Sequence, residues 1–241
     1  MKKALITGAS RGIGKAIALK LSKKGFFTIM VARHFDFTEP KNAKFIKLDL
    51  LKENSTKILF SLIKAQDVDV IIHNLGGVLP NDIHPIDSKV LLESVYFNLG
   101  VATDINYICL QQWGDSQNNS NNKLKKKMII FLSSDSSLNG KASPAYVASK
   151  SALNAYMKSS ARFYAKKNII FFSILLGIVY SKNGYWHTKK IKEPKKFRLK
   201  KKESIFGDFM RPKDVANLAY SLIMSKNKFI NGGEFCVNGG E

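Results

Sequence analysis

Seven short apolar segments recur along the chain: KALI (3–6), FTIMV (27–31), FIK (45–47), DVIIH (69–73), MIIFLS (128–133), IIFFSIL (169–175) and EFCV (234–237). They alternate with helix-length stretches from beginning to end. Strands that are apolar at nearly every position, rather than at every second one, need cover on both faces, which a parallel sheet sandwiched between helices provides. The intervening segments have the matching period. Ile13, Ile17 and Leu21 recur four residues apart, and Ile58, Leu59, Leu62 and Ile63 recur at three-to-four spacing, as the buried stripe of an amphipathic helix requires. The expected fold class is therefore α/β, a single-domain, doubly wound Rossmann fold with a seven-stranded parallel sheet and helices on both faces.

The chain has 241 residues, 45% of them hydrophobic, enough for one sizeable core and too few for two ordinary domains with linkers. No apolar run reaches the roughly 18 residues of a membrane span, and MKKALITG enters a strand before it could form a signal peptide. A cytoplasmic protein is expected. Cys109 and Cys236 both lie in apolar stretches, which predicts buried thiols rather than a disulfide framework. His34, His73, His84 and His187 are scattered without ligand spacing, so no metal site is expected and surface or turn positions are. The formal net charge is +21, from 39 Lys and Arg against 18 Asp and Glu. It attracts polyanions, yet no nucleic-acid-reading motif accompanies it.

Two stretches break the alternation. Residues 114–127 (GDSQNNSNNKLKKK) are polar and of low complexity, and predict a surface loop. Residues 181–210 hold Tyr185, Trp186, Phe197, Ile205, Phe206 and Phe209, with ten Lys or Arg and one Glu between 182 and 202. A long excursion of this kind is functional or disordered.

The first strand runs directly into TGASRGIG and then a helix, so Gly8, Gly12 and Gly14 fall at a strand-to-helix turn. Glycine permits positive φ and close approach to a pyrophosphate facing the helix amino end. Five residues separate Gly8 from Gly14, and Lys15 is followed by Ala16, which excludes a Walker A loop. Ile17 occupies the third glycine position of G-x-G-x-x-G, leaving TGxxxGxG. The second strand ends in Ala32-Arg33 with no acid at its tip. An arginine there suits the 2′-phosphate of NADP, and Arg11 could add a second cation. NADP is favoured over NAD; Asp36 is the candidate for an NAD reading.

Tyr146 and Lys150 lie four apart in a segment that begins a helix after Pro144, which puts them on one face about 6 Å apart along the axis. A nearby ammonium lowers a phenol's pKa towards the working range and fits it for moving a proton to or from an alcohol oxygen. The fifth strand ends in Ser133-Ser134, and Ser134 precedes Tyr146 by twelve residues. A hydroxyl is thereby placed at the carboxyl edge of the sheet, where ligands of such folds bind.

Assembled, these segments resemble the short-chain dehydrogenase/reductase family from Lys3 to Gly240. TGASRGIG is similar to its cofactor loop, LDL (48–50) to its adenine-contacting Asp, HNLGG (73–77) to its Asn-Asn-Ala-Gly turn, and FNLG (97–100) to the helix carrying its Asn. SSDSS (133–137) and YVASK (146–150) are similar to its Ser, Tyr and Lys, LLGIVYS (175–181) to its Pro-Gly turn, and MRPKDVA (210–216) with VNGG (237–240) to its C-terminal signature.

The resemblance implies a nicotinamide oxidoreductase that interconverts a carbonyl and a secondary alcohol. Tyr146 is the general acid or base, Ser134 polarises the carbonyl, Lys150 tunes the phenol and holds the nicotinamide ribose, and Asn98 holds a relay water. It implies cofactor contacts at Gly8, Ser10, Arg11, Gly12, Ile13, Gly14, Arg33, Asp49, Leu50, Asn74, Gly76, Tyr146, Lys150, Gly177, Val179 and Ser181. It further implies a homotetramer or homodimer packed through the helices around 88–112 and 144–166, and a substrate lid over 181–210. Under that lid a 3-oxoacyl thioester, a sugar or a nucleotide sugar is expected, with the lysines facing an acidic group or carrier.

There are departures from the family pattern. Leu75-Gly76 stands for Ala-Gly and Leu176-Gly177 for Pro-Gly. The interval from Ser134 to Tyr146 is one residue short, which keeps Ser133 in reserve. The competing reading is a dinucleotide-binding redox sensor or scaffold protein without turnover.

Overall fold

A computed structural model describes residues 1–118 and 124–240. Seven strands form one sheet in the order β3-β2-β1-β4-β5-β6-β7, and every pairing is parallel. They are β1 (Lys3–Thr7), β2 (Phe27–Ala32), β3 (Ala43–Lys47), β4 (Val70–His73), β5 (Lys127–Ser134), β6 (Ile169–Leu176) and β7 (Glu234–Val237). All eight positions of β5 and all eight of β6 are buried, which explains why these segments are continuously apolar instead of alternating.

Helices cover both faces. On one, α1 (Gly12–Lys23) and α9 (Pro212–Met224) place Ile17, Leu21, Val215, Ala219 and Ile223 against Ile6, Met30, Ile130 and Phe172. On the other lie α2 (Ser55–Leu62), α4 (Val101–Asn118) and α6 (Pro144–Tyr164), whose Leu59, Ile105, Cys109, Leu153 and Met157 pack on Leu5, Ile71, Phe131 and Phe171. Each aromatic ring removed from water here contributes roughly 1.5–3 kcal/mol. Trp113, fully buried, also donates its indole N–H to the carbonyl of Ala65 at 3.0 Å.

The strand order reverses between β1 and β4, so their two connections diverge and leave a crevice at the carboxyl edge, the usual ligand position in such folds. Four further helices complete the described α-helices: α3 (Ser88–Val95), followed by a π-helical turn at Tyr96–Gly100; α5 (Ser136–Asn139); and the pair α7 (Tyr185–Lys192) and α8 (Pro194–Glu203).

Several expectations need correction. The loop foreseen over 114–127 is shorter, because α4 continues to Asn118 and β5 already starts at Lys127; residues 119–123 lie outside the described residues. Residues 181–210 are ordered around two helices, with Phe209 ringed by Trp186 and Phe197, and Tyr180 against Phe197. These aromatics form a small core of their own. His73 is buried, not a surface residue, because β4 runs through the middle of the sheet. Cys236 is exposed, because β7 is an edge strand, whereas Cys109 is buried as expected. Among the described residues no helix is long and apolar enough to cross a membrane, and no cluster of His, Cys, Asp or Glu could hold a metal.

Candidate active site

The crevice holds a cavity of about 560 Å³ that continues into a smaller one of about 180 Å³; Ile13, Asn74 and Gly76 line both. The larger is floored by the glycine loop, where Gly8 and Gly12 take φ of +63° and +55°. A side chain is disfavoured at both for that reason. Gly14 has a different reason: a Cβ there would come within 2.5 Å of Asn74 Nδ2 and of the Gly8 carbonyl. That amide nitrogen donates to the carbonyls of Thr7 and Gly8, while the Thr7 hydroxyl oxygen accepts from the backbone amides of Asn74 and Leu75. The ends of β1 and β4 are bolted together through a side chain for which only glycine leaves room.

The start of α1 has no side-chain cap, since Arg11 makes none, and no acidic residue stands in its first turn. Its free N–H groups and positive helix end therefore face the cavity, as anion binding requires. Ser10, Arg11, Gly12, Ile13, Arg33, Asp49, Leu50, Asn74, Gly76 and Ser181 all line this cavity, and Gly8 with them. The cationic pair differs from a simple double clamp. Arg33 is exposed and makes no ion pair or hydrogen bond among the described residues, whereas Arg11 donates to the Asn183 carbonyl at 2.6 Å, just before α7. Asp36 also lines the cavity, 3.9 Å from Lys15, whose ammonium sits 3.6 Å above the Phe37 ring.

The smaller cavity gathers Ser133, Ser134, Tyr146, Lys150, Gly177 and Val179 at the ends of β5 and β6 and the start of α6. Ser134 shares this cavity with the Tyr146 phenol and accepts from the amide and hydroxyl of Ser136 at 3.2 and 2.9 Å. Ser133 Oγ is buried with no partner among the described residues. Both serines share the cavity with Tyr146, and of the two only Ser134 acts on the phenol's proton affinity, lowering it. Lys150 Nζ donates to the Leu132 carbonyl at 2.9 Å and lies 5.7 Å from the Tyr146 ring centre.

The electrostatics depart from the expectation that Lys150 depresses the phenol's pKa. Burial raises Tyr146, the Ser134 hydrogen bond works against that rise, and the Asp135 charge adds to it. Burial also lowers Lys150 to about 8. Burial shifts both groups towards their neutral forms; at neutral pH the phenol carries its proton, and Lys150, below about 8, still carries its charge.

Asn98 sits in the π-helical turn, which displaces the helix ladder and turns its side chain inward. It is buried, lines neither cavity, accepts from the Gly77 amide at 2.9 Å and donates to the carbonyls of Gly77 and Ser94 at 3.1 and 3.0 Å. A Cβ on Gly76 would meet Asn98 Oδ1 at 2.6 Å and Lys150 Nζ at 3.3 Å, so this glycine separates the two side chains.

Sequence reasoning did not single out Thr7, Phe97, Asn183 or His34, of which the last three line the large cavity. The threonine stands next to the glycine loop and was findable there. Phe97 and Asn183 arrive by tertiary folding and carry no local signal.

The short chain dehydrogenase family model matches residues 2–190. The L-rhamnose 1-dehydrogenase (NADP(+)) of Thermoplasma acidophilum is 26% identical over 251 residues, covering 99% of this chain and 95% of that protein. A 3-oxoacyl-[acyl-carrier-protein] reductase FabG of Buchnera aphidicola is 29% identical over 253 residues, covering 99% and 96%. A crystal structure of a short chain dehydrogenase family protein from Francisella tularensis superposes with a TM-score of 0.83 at 27% identity, covering 100% of this chain and 98% of that one.

Proposed function

Since the chain belongs to the short-chain dehydrogenase family and is an oxidoreductase acting on a carbonyl or alcohol carbon, we propose that it uses NADP(H) and that Tyr146 is its general acid and base. The observation that carries this reading is the convergence of Ser134, Tyr146 and Lys150 in one cavity, at the rim of a crevice whose other half is an uncapped helix end over a glycine floor.

The crevice fits a dinucleotide. Gly8, Gly12 and the open amides of α1 would take the pyrophosphate, Asp49 and Leu50 the adenine, Asn74 and Gly76 the adenosine side, and Gly177, Val179 and Ser181 the carboxamide end. Arg33 is a cation with no partner among the described residues at the cavity wall, which favours a 2′-phosphate over a bare hydroxyl. Asp36 would accept from a 2′-hydroxyl, but its charge is already near Lys15. The NADP(+) in the name of the Thermoplasma acidophilum relative points the same way.

When bound, the dinucleotide supplies or accepts the hydride at the substrate carbon. In reduction, Ser134 donates a hydrogen bond to the substrate carbonyl oxygen, and the Tyr146 phenol delivers its proton to that oxygen as negative charge builds there. The raised Tyr146 keeps this proton available through neutral pH. Oxidation runs the same transfer in reverse and needs the phenolate, which a charged Lys150 stabilises. Asn98 holds Gly77, and through it the wall between Lys150 and the cavity.

The substrate enters under α7 and α8. Lys182, Lys190, Lys192, Lys195, Arg198 and Lys202 have no carboxylate partner among the described residues, while Lys189 and Lys196 share Glu193. This surplus suits a substrate with an acidic part, a 3-oxoacyl thioester on an acidic carrier or a nucleotide sugar, over a neutral sugar. Leu92, Tyr107 and Phe163 are exposed on α3, α4 and α6, which supports self-association through those helices. Turnover of NADPH against 3-oxoacyl thioesters, aldoses and nucleotide sugars tests the reading. Consumption with an acidic substrate, lost in Tyr146→Phe, is expected; tight NADPH binding with no turnover of any of them would replace the enzyme by a sensor.

A further inference from the structure

The first turn of α6 carries Tyr146 as its third residue, and its backbone donors are satisfied in an unusual way. Ser143 at the N-cap makes no side-chain cap, and Pro144 has no N–H. The Val147 amide reaches the Ser143 carbonyl at 2.9 Å. The two remaining amides go to a residue more than sixty positions earlier. Asp82 Oδ1 accepts from Ala145 N at 2.9 Å, and Asp82 Oδ2 accepts from Tyr146 N at 2.8 Å.

Asp82 is 2% exposed and makes no ion pair among the described residues. A buried carboxylate is costly to hold without strong donors. Two backbone amides at a positive helix end supply them. The segment it belongs to is fastened at both ends: Gly77 is held by Asn98, and Asp87 caps α3 by accepting from Val90 N at 2.9 Å. That segment leaves the crevice directly from the Asn74–Gly77 turn. One carboxylate therefore ties the wall of the dinucleotide cavity to the peptide unit of the residue that bears the phenol.

Resting on the proposed role of Tyr146, we infer that Asp82 is a positioning residue, which through its two backbone hydrogen bonds sets where the Tyr146 phenol stands relative to the crevice. Asp82→Asn keeps the volume but can accept only one of the two amides and turns an N–H₂ group towards the other. Its kcat for 3-oxobutanoyl coenzyme A reduction, per site titrated with NADPH, should fall at least tenfold with Kd for NADPH changed less than threefold. In the NADPH complex the absorbance titration of Tyr146, isolated by subtracting Tyr146→Phe, should move by at least half a pH unit.

A role confined to helix capping is separated by a second variant. In Asp82→Ala with Ser143→Asp, a local cap replaces the distant one, and thermal stability should return towards the wild type while the Tyr146 titration stays displaced. The inference is overturned if the Tyr146 titration of Asp82→Asn matches the wild type, or if the local cap restores it. Should Tyr146→Phe itself retain turnover, the assignment of the phenol fails first; a dead Tyr146→Phe beside a normal Asp82→Asn removes only the role of Asp82.

Discussion

Asn98 Oδ1 accepts the amide hydrogen of Gly77 at 2.9 Å, fastening the turn after β4 to a π-helical kink in the neighbouring helix. The contact leaves no room at the adjoining glycine. Gly76 has a φ of +150°, and a Cβ would stand 2.6 Å from that same oxygen. Gly76→Ala should cost about 1–3 kcal/mol in strain and displaced neighbours and weaken NADPH, as read by thermal unfolding and dinucleotide fluorescence. An unchanged affinity would mean that this turn does not border the dinucleotide.

The proposed reading puts dinucleotide choice on Arg33, since Arg11 is engaged with the Asn183 carbonyl. Losing a charge-assisted contact to phosphate costs about 1.5–3 kcal/mol, on the order of 10- to 100-fold in Kd. Arg33→Asp should weaken NADPH by that factor and leave NADH nearly untouched. Equal losses for the two dinucleotides would remove the 2′-phosphate role.

The Lys150 ammonium, lowered by burial to about 8, is charged below that pH and neutral above it. Burial holds Tyr146 protonated across the same range. In carbonyl reduction, kcat/KM should therefore decline as pH rises through about 8, and Lys150→Arg, which stays charged, should lose that limb even if its overall rate is lower. A profile flat to pH 9.5 in the wild type would contradict the assignment.

Among the described residues the buried His73 side chain hydrogen-bonds only Asn106, at 2.8 Å, and burial lowers it to about 4 from 6.5. The unfolded chain thus binds a proton between pH 6.5 and 4 that the folded chain refuses. Stability is complete above 6.5 and is lost as pH falls towards 4, by about 3 kcal/mol. His73→Asn, neutral throughout, should flatten the unfolding temperature over this interval; an unchanged slope would place the acid sensitivity elsewhere.

The sheet was legible because β1, β4, β5 and β6 are buried on both faces, so each reads as an unbroken apolar run with no alternative use. The glycine loop and the Tyr146–Lys150 pair were legible for a related reason: their partners are a few residues away, and spacing determines geometry. Asp82 was not, because its partners lie sixty-three and sixty-four residues on, and nothing near an Asn-Asp-Ile triplet marks it as a cap. Helices α7 and α8 were hidden by composition. Six basic residues in the ten of α8 resemble a solvated loop until Phe197 and Phe209 meet. The raised phenol was missed because spacing reports a neighbour's distance along the helix and not the water excluded around it.

The most direct test follows hydride and proton together. Purified full-length protein is given NADPH deuterated at the transferable position of its nicotinamide and 3-oxoacyl thioesters, aldoses and nucleotide sugars, and the alcohol products are analysed by mass. The account predicts one deuterium on the new carbinol carbon of at least one product, abolished in Tyr146→Phe with NADPH affinity retained. Deuterated product formed equally well by Tyr146→Phe would contradict it.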